Sequence, residues 1–342
     1  MKNTILYTII ILIFSSNLQS QDVHFSHIHS SPTLLNPAMT GLFNGKIRMS
    51  GNYKSQWNNF TEGYSTAAAA FDVRAVEFKN NIIGAGISMY SDKAGDLDFS
   101  TNTVSMNASF IQLLGKDTWA SVGFKNSFIQ SRVDFTKAKT FEAEPVFFSN
   151  ISYWDLSTGL AIMHKYKNGN LIYGGASLFH VNGANVSFLS KPLKGGPDQP
   201  NIETQDKKVV LHGGADIKVN RNLTLKPTFI LMDQGPHREI MIGSFVKYES
   251  NQNSMLSEKN ASISFGAWMR WYSEINLAGA DALITSVRMD MNGMFVTLSY
   301  DANISSLRVA SQGQGGVELS VVKVISHKTI QKRKISCPVN YF

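Results

Sequence analysis

Residues 104–110 read VSMNASF, so alternate side chains are apolar and the ones between them are small and polar. This alternation predicts a β-strand with one apolar and one polar face. From about residue 45 to 324 the chain repeats the unit, about ten alternating residues and then a turn cluster, and we count about fourteen strands. We therefore expect an all-β fold: an up-and-down antiparallel barrel that crosses a membrane, because lipid requires an apolar outer face and a closed ladder.

Composition supports a barrel and excludes other classes. Charged residues are 17% and aromatic residues 11% of the chain, which contains 26 glycines; this suits an apolar outer face and a lumen lined by Ser, Thr, Asn and Gly. A soluble β-sandwich is disfavoured, because it rarely contains so many strands. The single cysteine excludes an internal disulfide framework. The net charge is +7, but bases are not interleaved with aromatics, so we expect no nucleic-acid partner.

The ends of the chain differ from the repeating region. Residues 1–20 resemble a secretory signal peptide, with Lys2 before a short apolar run. Residues 21–44 show no strand periodicity and are predicted to be a periplasmic segment or a plug in the lumen. The barrel should cover 45–324, and residues 325–342 should form a basic periplasmic tail. A barrel pattern behind an export signal is typical of an outer-membrane protein, and an even number of strands places both ends of the mature chain in the periplasm.

Connection lengths give a second argument for this topology. Short turns are predicted at 115–117, 167–170, 220–222 and 290–293, and these should face the periplasm. The connections between them are predicted to be longer and to lie at the cell surface, notably 131–151 and 183–206, which contain prolines. The long stretch 249–260 falls where a short turn is expected, so it is either an insertion or an error in the strand count.

Several segments resemble the PorP/SprF family of Bacteroidota outer-membrane proteins, which is associated with type IX secretion and gliding motility. The segments are Gln21 to Ser26, Leu35 to Ala38 with Gly41, Tyr53 with Gln56 and Trp57, Phe71 and Asp72, Arg270 and Trp271, Asp281 to Ile284, Ser299 to Asp301, Ser305, Leu307, Gly316 to Ser320, and Cys337 with Pro338. The chain departs from the family at Val181 to Gly183, where relatives often carry proline, and at Gly315 and Gly316.

This resemblance implies a role in secretion without bond chemistry. Family members are thought to bind or anchor large secreted adhesins through a C-terminal sorting domain. The implied partners are such an adhesin, other type IX secretion components, some of them periplasmic, and outer-membrane lipid. We expect the client to dock on loops at 56–63, 92–101, 131–151, 183–206 and 302–314. The competing function is an outer-membrane transport barrel, or porin, for small or hydrophobic solutes.

The candidate partner-binding residues are Trp57, Trp154, Asp301, Arg308, Glu318 and Cys337. Asp301 and Glu318 flank Arg308 at the last loop; they could do acid–base chemistry, but we expect them to pair with Arg or backbone amides and hold the last hairpin. Cys337 is either a thiol that pairs with a partner or part of a docking tail.

Other candidate chemistry has a structural alternative. His24, His27 and His29 could bind a metal, but without a cysteine or a spaced carboxylate we interpret them as an exposed polar segment and predict neither metal nor cofactor. His164, His180 and His212 could pair with serines as in a lipase, but no nucleophile elbow accompanies them, so we do not expect an enzyme.

Aromatic residues near predicted strand ends favour membrane-interface girdles. They are Tyr53, Trp57, Tyr90, Trp119, Tyr153, Trp154, Trp268, Trp271, Tyr272 and Tyr300. Trp57 and Trp154 could instead form a stacking platform for sugar or peptide.

Overall fold

The alternating stretch at 104–110 lies in the fourth strand of the structure. Met106 is 72% exposed on the outer face, whereas Ser105 is 1% exposed and faces the lumen. The same two-residue period in the other strands produces an apolar outer wall and a closed ring of hydrogen bonds.

The structure is a computed structural model that describes residues 25–56, 63–95, 97–134, 148–187, 203–249, 261–274, 277–305 and 315–326. Its strands are β1 (Ile47–Gln56), β2 (Tyr64–Phe78), β3 (Asn81–Ala94), β4 (Phe99–Leu113), β5 (Thr118–Asp134), β6 (Phe148–Lys165), β7 (Leu171–Phe179), β8 (Lys208–Lys218), β9 (Leu223–Gln234), β10 (His237–Glu249), β11 (Ser262–Glu274), β12 (Leu277–Met291), β13 (Met294–Asn303) and β14 (Gly316–Ile325).

Each strand pairs antiparallel with its neighbours in sequence, and β1 pairs with β14 to close the ring. In that closing ladder Asn52 lies opposite Ser320 and Lys54 lies opposite Glu318. The predicted fourteen-stranded up-and-down barrel is confirmed. No helix among the described residues is long and apolar enough to cross a membrane.

The two ends of the barrel have different connections. We call the end where β1 begins and β14 ends the first rim, and the opposite end the second rim. The predicted short turns lie at the first rim; in the turn between β12 and β13, Asn292 and Gly293 have φ angles of 50° and 71°, as a two-residue hairpin requires. The long connection between β10 and β11 also belongs to the first rim, so the strand count was right there.

Two expectations about the second rim were wrong. The connections between β9 and β10 and between β11 and β12 span only 235–236 and 275–276, although longer loops were predicted there. Strands β5 and β6 also run further than predicted, because their ladder continues until Asp134 lies opposite Phe148.

The lumen contains apolar clusters as well as polar side chains. One cluster includes Phe25, Phe179, Phe245 and Trp268, and another includes Trp119. Trp119 and Trp268 are 4% and 2% exposed, so the girdle interpretation is wrong for these two residues. Strand parity decides their direction, because both occupy inward positions of their strands.

Candidate functional site in the barrel lumen

Residues 25–43, which we call the inner segment, lie within the barrel. They form a 3-10 turn (Ile28–Ser30), a four-residue helix α1 (Pro32–Leu35) and a second 3-10 turn (Pro37–Met39). Proline at the first position of α1 and of the second turn presets φ and removes a donor that would lack a helical partner. Asn36, Ala38 and Thr40 are completely buried. The segment therefore belongs to the interior of the fold.

The inner segment runs the length of the barrel. Ser26 contacts Glu318, near the second-rim end of β14, and Gly41 contacts Asp72, which lies opposite Arg48 near the first rim. The first described residue, Phe25, thus lies in the second-rim half, whereas β14 ends at Ile325 on the first rim. The chain termini themselves are outside the described residues.

A carboxylate on the last strand holds the start of the inner segment. Glu318, 0% exposed, accepts hydrogen bonds from the backbone amides of Ser26 (2.7 Å, Oε2) and His27 (3.1 Å, Oε1). A segment outside the β-ladder needs such acceptors for its buried N–H groups. Hydrogen bonds to a charged acceptor are stronger than those to a neutral one.

Asp301, on β13, completes what we call the second-rim anchor, which comprises Ser26, Lys54, Arg270, Asp301 and Glu318. Its Oδ2 atom accepts from the Ser26 hydroxyl at 2.5 Å, the Lys54 ammonium at 3.3 Å and the Arg270 guanidinium at 3.2 Å. Two cations therefore meet two carboxylates in a buried site, which is the pairing that buried charges require.

His27 is buried beside this anchor. Its Nε2 lies 2.7 Å from the Ser286 hydroxyl, and its ring stacks on Phe245 at 5.3 Å and meets the edge of Trp268 at 4.8 Å. Burial, with the nearby charge of Arg288, lowers the pKa of His27 to about 4, so the imidazole is neutral at pH 7. The expectation of an exposed histidine was wrong here, because this ring packs against lumen aromatics.

A second ion pair holds the other end of the segment. Arg48 binds both oxygens of Asp72, at 2.8 Å and 2.7 Å, and also donates to the Met39 carbonyl at 3.0 Å. The Asp72 carboxylate accepts from the Gly41 amide at 2.7 Å, and the guanidinium lies 4.7 Å from the centre of the Phe43 ring. We call these residues the first-rim anchor.

Lumen-facing serines bind the middle of the segment. The hydroxyls of Ser109, Ser121 and Ser177 donate to the carbonyls of Thr40 (2.5 Å), Ala38 (2.7 Å) and Leu35 (2.9 Å). These short polar side chains hydrogen-bond the carbonyls of a segment that lies outside the sheet.

Asn36 also joins the segment to the strands, but here the segment's own side chain is the donor. Its Nδ2 donates to the Leu160 carbonyl at 2.9 Å and lies 3.1 Å from His212 Nε2, while its Oδ1 accepts from the Ala38 amide at 2.9 Å. The Asn36 side chain, which precedes Pro37, therefore caps the second 3-10 turn and also contacts the barrel wall.

Three strand glycines let the segment lie directly on the sheet. A Cβ atom at Gly84 would overlap the Thr40 carbonyl, one at Gly123 the backbone of Pro37 and Ala38, and one at Gly159 the Asn36 side chain. Glycine in a strand interior commonly marks such close backbone approach.

The structure brings together only two of the predicted site residues that it describes. Asp301 and Glu318 come together; the sequence predicted that they hold the last hairpin, whereas they join the last two strands to the inner segment. Trp154 is 60% exposed on the outer wall, 5.3 Å from Phe128 between ring centroids. Trp57, Arg308 and Cys337 lie outside the described residues, as does His24.

Arg48, Lys54 and Asn36 were not predicted to make contacts in the lumen. Strand parity could have indicated the first two, because they alternate with the outward Met49 and Tyr53. Among the described residues no group of three or more His, Cys, Asp or Glu is arranged to hold a metal.

The Val181 to Gly183 stretch, which follows β7, hydrogen-bonds to β6. His180 turns the chain with a φ of 58°. The Asn182 side chain then donates to the Trp154 carbonyl at 2.7 Å and accepts from the Leu156 amide at 3.0 Å. It thereby pairs with the edge of β6 as a backbone group would.

The family described as "Type IX secretion system membrane protein PorP/SprF" matches residues 17–322. The chain belongs to this family. A PorP/SprF protein is a membrane protein of the type IX secretion system, and the strands described above are its outer-membrane β-barrel. No curated protein matches the chain in sequence.

The chain is similar to several solved structures at low sequence identity. A Pseudomonas aeruginosa FadL homologue has a TM-score of 0.52 at 8% identity, over 86% of this chain and 93% of the other. The toluene transporter TbuX of Ralstonia pickettii has a TM-score of 0.47 at 11% identity, over 86% of this chain and 94% of the other. The CymD monoaromatic hydrocarbon channel has a TM-score of 0.47 at 10% identity, over 88% of this chain and 94% of the other. The FadL homologue supports the outer-membrane barrel fold of this PorP/SprF chain.

Proposed function

We propose that this PorP/SprF barrel is a closed client-binding protein of type IX secretion, which anchors or helps export a surface adhesin through the client's C-terminal domain. The observation that carries the proposal is the occupied lumen. The inner segment is bound at both ends by buried charges and in the middle by serines and Asn36. A barrel filled in this way suits recognition better than passage of solute.

In this proposal residues 1–20 are a cleaved signal peptide and the inner segment is a plug. The first rim faces the periplasm and the second rim the cell surface, where the long connections present the client-binding surface. Those connections and the tail from 327 onwards, with Cys337, lie mainly outside the described residues. We expect the tail to meet periplasmic secretion components.

Conductance separates the proposal from a transport barrel. In planar bilayers, the purified wild-type barrel should show no open channel, and removal of residues 21–44 should create one. A wild-type barrel that conducts ions or binds hydrophobic solute would favour transport. Phe124→Ala is the control for leakage caused by poor folding. Phe124 is 62% exposed on the outer face, so this variant alters the barrel wall and leaves the inner segment in place.

Client binding is tested in native membranes. The tagged full-length protein should co-purify with a large secreted protein carrying the sorting domain, identified by mass spectrometry. Recovery of the barrel alone, in cells that display adhesins, would contradict the anchoring role.

Deleting 326–342 should leave the barrel assembled but impair surface display, and normal display would exclude the tail from the pathway.

A further inference from the structure

Strand β6 pairs over different lengths with its two neighbours. Its ladder with β5 covers residues 148–164. Its ladder with β7 covers only 158–165. Among the residues that the structure describes, no strand pairs with β6 on the β7 side over 148–157. This part of β6 is therefore the edge of a sheet, and it lies at the second rim.

The outer face shows where this part of the wall leaves the membrane. Val104, Phe128 and Trp154 lie opposite one another on β4, β5 and β6, and all three are exposed on the outer wall. The next two outward rows towards the second rim are polar: Asn102, Gln130 and Ser152, then Ser100, Arg132 and Asn150. A change from apolar to polar side chains, with tryptophan in the last apolar row, is typical of the membrane interface. The edge of β6 therefore continues past the hydrocarbon into water.

The contacts of Asn182 show which backbone groups of β6 face this edge. Its side chain accepts from the Leu156 amide at 3.0 Å and donates to the Trp154 carbonyl at 2.7 Å. Alternate residues of a strand direct their N–H and C=O groups to the same side. The backbone groups of Ser152 and Asn150 therefore face the same side as those of Leu156 and Trp154, where a strand-like partner already makes hydrogen bonds.

Residues 150–154, which we call the β6 edge, read NISYW. Ile, Tyr and Trp favour strands, and the stretch contains neither a charged residue nor a proline. Edge strands are usually protected by such residues or by a covering segment, because their N–H and C=O groups otherwise pair with another strand. The residues of the β6 edge thus do not oppose pairing with a further strand.

We propose that the β6 edge binds an extended strand of the secreted client by β-strand addition. N–H and C=O groups that recur every two residues match the backbone of another strand, and main-chain hydrogen bonds then supply the affinity. The exposed Trp154 ring lies beside the added strand and favours an aromatic or β-branched client side chain as its cross-strand neighbour. The choice of occupant rests on the proposed function, because the client supplies the polypeptide at the second rim. The edge itself does not depend on that function.

Amide hydrogen exchange in the free, full-length barrel tests whether the β6 edge is accessible. The amides of Asn150 and Ser152 face the edge, whereas the amide of Ile151 faces β5. In detergent, NMR should therefore show exchange at Asn150 and Ser152 that is at least about tenfold faster than at Ile151. Equal protection of all three amides would mean that the chain covers its own edge, and would overturn the proposal.

A proline at position 152 tests strand addition directly. Ser152→Pro removes the N–H that faces the edge but no hydrogen bond to β5, so the barrel should still fold, as heat-modifiability gels can check. The amount of client that co-purifies with the tagged protein from native membranes should fall at least about tenfold, because a client carbonyl loses its donor. Ser152→Ala is the matched control: it removes the hydroxyl, keeps the N–H and should recover the client as wild type does.

A second measurement does not depend on the folding of a variant. The purified sorting domain of the co-purified client, added to the wild-type barrel, should slow exchange of the Asn150 and Ser152 amides at least about tenfold. Slowing that appears without this domain, when the barrel is concentrated enough to dimerise, would assign the edge to a second copy and overturn the client strand.

The outcomes separate this inference from the anchoring function. Equal client recovery by folded Ser152→Pro and by wild type would overturn strand addition while anchoring stands. If no client co-purifies with the wild type, the anchoring function fails, and the client strand fails with it.

Discussion

The Glu318 carboxylate, near the start of the last strand, lies 2.7 Å from the backbone nitrogen of Ser26, which precedes it by 292 residues. This hydrogen bond ties the closing strand of the barrel to the chain inside it. Ring closure and occupation of the lumen are therefore coupled at the second-rim anchor.

Removing the Asp301 carboxylate should destabilise the barrel. Asp301→Ala leaves Lys54 and Arg270 buried without this partner, and breaking a buried pair in this way costs about 3–5 kcal/mol. The measurement is the temperature at which the folded band disappears in heat-modifiability gels. Asp233→Ala removes the exposed pair with Arg238 and should change little, about 1 kcal/mol or less. Equal effects of the two variants would contradict the anchor.

Neutralising Glu318 should loosen the inner segment without opening the ring. Glu318→Gln keeps one acceptor oxygen but loses the charge, so the amides of Ser26 and His27 should exchange hydrogen at least about tenfold faster. Hydrogen-exchange mass spectrometry of peptides covering 25–35 measures this. Peptides from β5 serve as the internal control, and acceleration there as well would indicate general loosening.

Adding a side chain at Gly123 should displace the inner segment. Gly123→Val places side-chain atoms where the backbone of Pro37 and Ala38 now lies, so the segment must move while the strand, which tolerates valine, remains paired. Protease cleavage within 30–44 should increase in folded barrels. Gly279→Val is the matched control, because a Cβ there meets nothing within 4 Å. A protected segment in Gly123→Val would refute the close approach.

Acid should weaken packing of the inner segment through His27. The pKa of His27 is about 4 in the folded protein, below its ordinary 6.5, because burial disfavours the imidazolium. The released segment therefore binds a proton first, and stability present above pH 6.5 is lost as the pH falls toward 4, by about 3 kcal/mol in all. Protease protection measured from pH 7 to 4.5 should follow this course, and His27→Gln, which does not titrate, should remove the part due to His27. The part due to His29 should remain, because burial lowers the pKa of that histidine as well, to about 3.

The sequence by itself determined the barrel, its fourteen strands and most of their bounds. A period of two residues is a local property, and lipid imposes one apolar face on every strand, so VSMNASF and its repeats predict the wall without knowledge of distant contacts. Short turns such as Asn292 and Gly293 are equally local, because their φ angles follow from residue type.

Only the tertiary structure decided what fills the lumen. Ser26, Lys54, Arg270, Asp301 and Glu318 come from distant parts of the chain, and they meet because closing the ring brings β1 against β14. The close approach of Pro37 and Ala38 to Gly123 has the same origin, because it depends on which segment lies opposite the strand. Local patterns specify the faces of a strand, whereas partners inside a closed cylinder depend on the geometry of the closed ring.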